Sequence, residues 1–368
     1  MKEKKVDKFF LIIVFLLISI GIAVFVSASL GILAKNAGTF YYVLFSQLVL
    51  GFGLGFLGMY FALKINYKFW RKYSFYIFFA SVLLTAAVFL PSFGWEHMGA
   101  QRWIKLGPVS FQPVEILKFG FVIYFAAWLA WVKNKVQDFK FGILPLGIML
   151  AVIALILFNQ PDTKSFILIT ITGICMLFIS GVSVKKILII GALSVAVLGT
   201  LVFFTPYLQD RVKTFIDPSQ DPQGSSYQIQ QSLIAIGTGG VFGRGYGQSI
   251  QKFSYLPEPQ GDSIFAVLGE EFGFVGSVAI IMLYLLFLLR GLRIANNSPD
   301  LFSRLLVSGI VILIVAQSFM NIASVTGVFP LTGVPLVFIS HGGTSIMMYL
   351  ITIGIVLNVS KFSSKSSK

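Results

Sequence analysis

The sequence predicts an all-α polytopic membrane protein. Hydrophobic residues make up 57% of its 368 positions and charged residues only 11%. The apolar residues gather into ten long stretches, and about 20 residues of helix cross the roughly 30 Å hydrocarbon layer of a bilayer. Little polar surface is left for a soluble domain. The whole chain, 1–368, is therefore predicted to be a single transmembrane domain.

Each apolar stretch is long enough, or nearly so, to span the bilayer as a helix. The sixth stretch is the shortest and would have to tilt or begin within the preceding loop. The predicted spans are 9–30, 41–63, 73–90, 113–132, 141–158, 165–180, 187–204, 264–289, 301–323 and 343–359. The first is longer than the apolar region of a signal peptide, so a retained helix is predicted.

The net charge is +14, and the distribution of the basic residues along the chain indicates its membrane topology. If the spans alternate, most of the Lys and Arg residues fall in loops on one side, and the positive-inside rule then places both termini in the cytoplasm. The tail 361–368 is a short basic cytoplasmic extension. Attraction to anionic lipid adds a weak contribution, and this distribution argues against a nucleic-acid partner. Cys175 is the single cysteine, which excludes a disulfide framework.

Two outer segments are unusual. Segment 91–112 is rich in Trp, Gly and polar residues, and 205–261 is a large extracellular loop between spans seven and eight. Loops of that length tend to be functional or disordered. Within it, 226–236 has the pattern of a short amphipathic helix at the membrane interface. The glycine-rich run 237–248 contains no nucleotide-binding fingerprint. It fits either tight backbone turns or a loop that binds pyrophosphate.

Lys118 stands out because it lies about one turn inside the fourth apolar stretch. An ionisable group at membrane depth is costly unless it is paired or hydrated. Glu115 is three residues away on the same helical face, so a local ion pair with Lys118 reaching toward the interface is one interpretation. In the other, Lys118 lines a polar cavity and pairs with an acid from elsewhere in the chain.

That distant acid is predicted to be Asp262, at the end of the large loop and the mouth of the eighth span. An aspartate there could also serve as a helix N-cap, and capping is compatible with catalysis because both need an ionised carboxylate. Glu258 is the alternative base. Glu270 and Glu271 lie two turns into the eighth span, where a structural role is at least as well supported as a catalytic one.

The remaining ionisable residues give weaker signals. Asp162 and Lys164 fit ordinary loop charges. His97 and His341 have no second ligand at metal-binding spacing, so no protein metal site is predicted.

Three segments carry a resemblance to a known family: 102–118, 231–276 and 321–345. They resemble the signature regions of the SEDS family, the FtsW, RodA and SpoVE proteins of bacterial cell-wall synthesis. The resemblance implies a multi-pass protein of the bacterial plasma membrane that polymerises lipid II as a peptidoglycan glycosyltransferase. Segment 257–265 and Thr326-Gly327 favour the division-type FtsW branch over the elongation-type RodA branch.

The resemblance also implies roles for individual residues. Asp262 matches the essential acid of the family and Lys118 its partner lysine. The predicted substrate-binding residues are Arg102, Trp103, Lys105, Gln112, Glu115, Glu258 and Ser263.

Two motifs depart from the family pattern. The usual Pro-Asp-x-Gly-Thr run has Lys164 where glycine is usual, which puts a role for Asp162 in doubt. His341 stands where tyrosine is usual.

The expected chemistry is an inverting transfer. Asp262 would act as general base toward an acceptor hydroxyl, and Lys118, Arg102 or Lys105 would stabilise the departing undecaprenyl pyrophosphate. A divalent cation, Mg²⁺ or Mn²⁺, could accompany the pyrophosphate.

The resemblance implies a class B penicillin-binding protein and other divisome membrane proteins as partners. Three alternatives remain open: a RodA-like elongation polymerase, a lipid II flippase, and a non-catalytic scaffold for a transpeptidase.

Overall fold

The computed structural model describes residues 5–90, 94–97, 100–106, 109–217 and 226–362. Most of the predicted tail and parts of both unusual outer segments lie outside these ranges, as does the side chain of His97. The helices, in chain order, are α1 Lys8–Leu33, α2 Ala37–Phe45, α3 Leu54–Lys64, α4 Tyr67–Lys72, α5 Ser74–Ala86, α6 Pro113–Val132, α7 Ile143–Asn159, α8 Thr163–Ile179, α9 Val184–Phe204, α10 Pro206–Ile216, α11 Tyr227–Thr238, α12 Gln251–Ser254, α13 Ile264–Asn296, α14 Leu301–Val325 and α15 Gly343–Ser360.

The predicted membrane spans are confirmed as helices. Among the described residues, seven helical segments are long and apolar enough to cross a membrane, and α5, α7 and α8 are shorter apolar helices. The second span is interrupted, because a π-helix, Ser46–Gly53, joins α2 to α3. The predicted amphipathic helix is α11, which packs on α13 through Ile229, Ser232 and Ala235.

A small antiparallel sheet occupies the outer segment before α6, where the sequence predicts only a loop. Its strands are β1 Gly94–His97, β2 Ala100–Leu106 and β3 Val109–Phe111, in the order β1-β2-β3. Trp95 pairs with Trp103 across β1 and β2, and Ile104 pairs with Phe111 across β2 and β3. Aromatic and β-branched residues favour paired strands, which satisfy their backbone groups within so short a segment. The predicted all-α fold class is confirmed, and this sheet replaces only the loop predicted before α6.

The first and last helices meet at one end of the bundle. Arg290 donates through Nη2 to Asp7 Oδ2 over 2.8 Å, and the backbone N–H of Asp7 donates to Ser360 Oγ over 3.1 Å. Nearby, the Tyr67 hydroxyl donates to Asp300 Oδ2. Both ends of the described chain thus lie on the same side of the bundle, as the charge pattern predicts. That this side is cytoplasmic stays a prediction from charge.

Helix α13 is broken at Gly273, whose backbone has φ 65° and ψ −161°. The break leaves backbone groups without helical partners, and the glycine-rich run supplies replacements. Arg244 N–H donates to Glu270 O, while Phe274 N–H donates to Gly240 O. The approach is so close that a Cβ on Gly273 would lie 2.6 Å from Val241 O. The glycine-rich run therefore packs backbone against backbone, which favours the tight-turn interpretation over the pyrophosphate cradle.

Replacing Gly273 by alanine is expected to destabilise the protein by about 1–3 kcal/mol or more, because only glycine tolerates this backbone region. The apparent melting temperature in detergent measures the effect. Gly147→Ala is the matched control, since a Cβ at Gly147 meets nothing within 4 Å in the middle of α7. That change should leave stability unchanged or raise it slightly. Equal melting temperatures for the Gly273 variant and the wild type would contradict the prediction.

Glu270 and Glu271 have a structural role in holding the large loop. Glu271 Oε1 pairs with Lys252 Nζ at 2.7 Å, and the same amine donates to Ser27 Oγ of α1. Glu270 accepts from Ser249 Oγ and from two backbone N–H groups at the start of α12. Both carboxylates are buried, and the network ties α12 to α1 and α13.

The chain between α14 and α15 re-enters the bundle instead of staying at the surface. Phe338 is fully buried. Its carbonyl oxygen is so close to Gly21, near the middle of α1, that a Cβ on Gly21 would clash with it. The Tyr284 hydroxyl donates to Val337 O. Irregular backbone at such depth is tolerated where protein surrounds it. We refer to residues 328–342 as the re-entrant segment, which no hydropathy pattern predicts.

Candidate functional site

A buried polar cluster surrounds Lys118 near the start of α6. Its Nζ lies 2.8 Å from Glu115 Oε2, 2.8 Å from Gln317 Oε1 and 3.0 Å from Tyr349 OH. Glu115 also accepts from the Ser345 hydroxyl over 3.0 Å. Lys118 is only 1% exposed. All three donor hydrogens of the ammonium group are therefore used within the protein.

The predicted direct pairing of Lys118 with Asp262 is wrong. Among the ion pairs of the described residues, the partner of Lys118 is Glu115, three residues away on the same helix. The local ion pair is therefore correct, although the amine is buried in the bundle and does not reach the interface. The physical reason is that Glu115 provides a carboxylate one helical turn away at no cost in chain ordering.

An indirect connection still joins the Lys118 cluster to Asp262. Gln317, which accepts from Lys118, donates through Nε2 to Pro335 O over 3.2 Å. One turn later on α14, Asn321 Nδ2 donates to Val334 O over 2.6 Å and to the backbone oxygen of Asp262 over 2.7 Å. Gln317 and Asn321 of α14 thus hold the re-entrant segment and the backbone of Asp262 in place.

Asp262 stands at the opposite end of the bundle from the chain termini, and its side chain is partly exposed. Helix α13 begins at Ile264 with Ser263 as its N-cap residue, so the alternative that Asp262 caps this helix is wrong. The carboxylate instead faces the re-entrant segment, where Gly333 has φ 64°. Asp262 Oδ2 lies 2.9 Å from the position that a Cβ on Gly333 would occupy.

Two cations reach the same point. Lys164 Nζ lies 3.7 Å and Arg211 Nη2 lies 3.9 Å from that Cβ position, next to the Asp262 carboxylate. Lys164 also donates to Gly333 O and Arg211 to Leu331 O, so both side chains are held against the re-entrant segment. We call Asp262, Lys164 and Arg211 the rim triad. It places one carboxylate beside two permanent positive charges.

The sequence interpretation missed both cations of the rim triad. Lys164 was assigned to an ordinary loop, although its departure from the family pattern was a usable signal. Arg211 lies on α10, more than a hundred positions before Gly333, and carries no local signal of its own. Asp162, whose role the sequence left in doubt, is the N-cap of α8 and accepts from Ser165 N and Oγ.

The outer sheet is fixed to the loop that carries Lys164. Arg102 on β2 donates from Nε to Gln160 O over 2.8 Å and from a second nitrogen to Pro161 O. Gln112 Nε2 lies 3.4 Å from Asp162 Oδ2. These two predicted binding residues therefore position the turn before α8.

The two remaining predicted binding residues of the sheet, Lys105 and Trp103, differ in how exposed their side chains are. Lys105 is exposed, with its amine 5.4 Å from the centre of the Trp95 ring, and Trp103 is partly exposed. Both stay candidates for substrate contact.

The two predicted binding residues next to Asp262 differ in accessibility. Ser263 is fully buried and accepts a hydrogen bond from Gln228 Nε2 over 3.0 Å, so it joins α11 to the start of α13 and does not face an open site. Glu258 is exposed, has φ 47° and accepts from Gln260 Nε2 over 3.2 Å. Glu258 therefore lies outside the rim triad.

Comparisons with known proteins agree with this architecture. The model of the FtsW, RodA and SpoVE family, described as "Cell cycle protein", matches residues 7–365. Stage V sporulation protein E of Bacillus subtilis is 37% identical over 98% of this chain and 99% of its own. A probable peptidoglycan glycosyltransferase FtsW of a Geobacter species is 37% identical over 96% of each chain.

A solved structure has the same fold. A chain from a peptidoglycan synthase complex, described as coordinating polymerization and crosslinking, superimposes with a TM-score of 0.79 at 27% identity, covering 96% of this chain and 97% of that one. This chain therefore belongs to the FtsW, RodA and SpoVE family of multi-pass cell-membrane proteins.

Proposed function

We propose that this protein is a peptidoglycan glycosyltransferase that polymerises lipid II by inverting transfer, with release of undecaprenyl pyrophosphate, in cell division. The observation that carries the proposal is the rim triad. A partly exposed carboxylate beside two cations suits a reaction that removes a proton from a hydroxyl and releases a pyrophosphate. Relatives named as glycosyltransferases, similar over nearly their whole length, support the same activity.

In this mechanism Asp262 is the general base. It accepts the proton of the acceptor sugar's 4-hydroxyl as that oxygen attacks the anomeric carbon of the donor. The new C–O bond forms on the face opposite the breaking bond to the pyrophosphate oxygen, so the configuration inverts without a covalent enzyme intermediate. The proton then passes from Asp262 to water, and the electron pair of the broken bond leaves with the pyrophosphate.

Lys164 and Arg211 stabilise the leaving group. Negative charge grows on the bridging and terminal phosphate oxygens as the glycosidic bond breaks, and fixed cations lower the energy of that state. Arginine presents a planar fork that matches phosphate oxygens, and lysine provides a compact charge. Both are partly exposed and already fixed by backbone carbonyls, so little reorganisation is required.

Lys118 acts as a positioning residue in this proposal. Its three partners leave no donor for a substrate, but through Gln317 it stabilises the segment that carries Gly333. Stabilisation of the leaving pyrophosphate, which is predicted from the sequence for Lys118 as one alternative, is therefore assigned here to Lys164 and Arg211.

The double variant Lys164→Ala/Arg211→Ala is expected to reduce the rate of lipid II polymerisation by at least about 100-fold, because two charges that stabilise the leaving group are lost. The assay follows glycan strands from labelled lipid II on gels, using protein in detergent or nanodiscs together with its crosslinking partner. Each single variant should lose less, since the other cation remains.

Lys213→Ala is the matched control, because Lys213 lies on α10 near Arg211, is largely exposed and faces an exposed aspartate. Its activity should stay within about twofold of wild type. Wild-type activity in the double variant would remove both cations from the mechanism.

The donor set around Gly333 suits an anion better than a protein-held metal. The described residues contain no group of three or more His, Cys, Asp or Glu side chains that could hold one. We propose that a divalent cation, if the reaction uses one, arrives with the pyrophosphate, with Asp262 as a possible carboxylate ligand. Titration of the polymerisation rate with EDTA, then with Mg²⁺ or Mn²⁺, tests this.

The crosslinking partner is proposed to be a class B penicillin-binding protein, and further divisome proteins are proposed on the family resemblance. The related synthase complex that couples polymerisation and crosslinking supports the first of these. Co-purification of the full chain with a tagged transpeptidase, in detergent, tests the pairing.

A lipid II flippase remains the second candidate function, because a bundle of apolar helices that contains a buried ion pair could also carry a lipid headgroup. Translocation of fluorescent lipid II in proteoliposomes, compared between wild type and the double rim variant, separates the two. A flippase has no need of the rim triad for bond formation, so strand synthesis that depends on these residues favours the polymerase.

A further inference from the structure

A cleft of about 420 Å³ is lined in part by residues 254–260, which lead into Asp262. One wall is the junction of α1 and α2, with Lys35, Asn36 and Thr39. The other is segment 254–260, and Tyr227 at the start of α11 completes the lining. The lining includes Glu258, the alternative base, and Lys252, but none of the rim triad, and we call this cleft the outer cleft.

The lining combines aromatic rings, uncharged polar side chains and the charged residues Lys35, Lys252 and Glu258. Tyr255 is 53% exposed and Tyr227 is partly exposed, while Asn36, Thr39 and Gln260 add amide and hydroxyl groups. A tyrosine ring offers an apolar face with a polar edge, and amides both donate and accept hydrogen bonds. Pyranose rings have the complementary surfaces: an apolar C–H face and a rim of hydroxyl and N-acetyl groups.

The volume is also suitable. Sites for small molecules have volumes of roughly 300–1,000 Å³, and the outer cleft lies at the lower end of that range. It would accept one or two sugar rings and exclude a long lipid chain.

The walls of the outer cleft are rigid. Lys252 at its back is held by the buried ion pair with Glu271, and α1 approaches so closely that a Cβ on Gly31 would meet Lys252 O. On the other wall, Gln260 O accepts from His341 N–H over 2.7 Å. A site that is already ordered loses little freedom when a ligand binds.

One polar atom in this wall has no partner. The side-chain oxygen of Gln260 is buried and forms no hydrogen bond within the described protein, although the Nε2 of the same side chain donates to Glu258. A buried acceptor without a donor costs free energy. Because this oxygen is buried, the group that Gln260 offers at the cleft is its Nε2, which donates to Glu258.

The outer cleft comes nearest to Asp262 in sequence through Gln260. Gln260 precedes Asp262 by two residues, a reach of about 7 Å along the chain. A glycan strand whose terminal sugar lies at Asp262 could therefore extend its next rings into the cleft.

We infer that the outer cleft binds the sugar rings of the glycan strand next to the reacting end, as a subsite for β-linked N-acetylated hexosamines. This inference rests on the proposed function, which supplies the strand. Holding the strand there would keep it attached between successive transfers, so the cleft would determine strand length.

Binding of a tetrasaccharide of β-1,4-linked N-acetylglucosamine, without lipid or pyrophosphate, tests the inference. The full chain in detergent is titrated and monitored by calorimetry and by saturation-transfer NMR. Tyr255→Ala should weaken binding about tenfold by removing one stacking surface. Thr39→Trp should block binding by filling the cleft from an exposed helix position. Tyr76→Ala is the control, since Tyr76 is an exposed tyrosine on α5 and outside the cleft.

Two further measurements keep this inference separate from the proposed function. The Asp262→Asn chain should bind the tetrasaccharide as tightly as wild type, because that change leaves the cleft intact. In polymerisation assays the Tyr255→Ala and Thr39→Trp chains should produce shorter strands than wild type. A tetrasaccharide that fails to bind wild type, or binds the cleft variants equally well, would overturn the inference. Full polymerisation by Asp262→Asn would instead contradict the proposed function.

Discussion

Asp262→Asn is expected to reduce lipid II polymerisation by about 10²–10⁴-fold, the usual contribution of a general base. Asparagine keeps the size and the hydrogen-bonding shape of the side chain but accepts no proton. Folding should be preserved, because the contact that anchors this residue, from Asn321, is to the backbone oxygen and not to the carboxylate. Strand synthesis on gels and the melting temperature in detergent measure the two effects separately.

Two control variants sharpen this test. Asp210→Asn removes an exposed carboxylate from α10, and its activity should stay within about twofold of wild type. Glu258→Gln removes the alternative base, and its loss should be far smaller than that of Asp262→Asn. If instead Glu258→Gln abolished synthesis and Asp262→Asn did not, the base would be Glu258 and the rim triad would lose its catalytic assignment.

Lys118→Met is expected to destabilise the protein by about 3–5 kcal/mol, because it leaves the Glu115 carboxylate buried without its cation. Polymerisation should be lost as well, since the re-entrant segment depends on Gln317 being held in place. The apparent melting temperature and the activity of the remaining folded protein are the measurements.

The double variant Lys118→Met/Glu115→Gln separates stability from positioning. Removing both charges together should recover most of the lost stability, because a buried pair costs little to replace as a unit. Tyr349 and Gln317 remain hydrogen-bonded to each other, so activity should partly return. A stable double variant that stays fully inactive would show that Lys118 acts on the substrate directly and would contradict its positioning role.

Local patterns predicted much of the architecture. The ten spans follow from hydropathy and length, and the amphipathic α11 follows from its periodicity. Pro113 is the first residue of α6, where its missing N–H is harmless. Asp262 is predicted as a site residue because an ionisable group at membrane depth is costly unless it is paired or hydrated, and in the structure its side chain is partly exposed.

Other features depend on contacts between distant parts of the chain. The break in α13 is stable only because the glycine-rich run supplies hydrogen bonds to its freed backbone. A small sheet replaced a predicted loop because aromatic pairs form across its strands. The predicted direct pairing of Lys118 with Asp262 does not form, because Glu115 provides a nearer carboxylate on the same helix.

The sequence by itself determined the membrane class and the positions and order of the apolar helices, because hydropathy and periodicity are local properties. Only the tertiary structure decided the partners of each charge. Gln317 meets Lys118 across 199 positions, and Lys164 meets Gly333 across 169. Such pairings arise from how the helices and the re-entrant segment pack, and no local pattern encodes that packing.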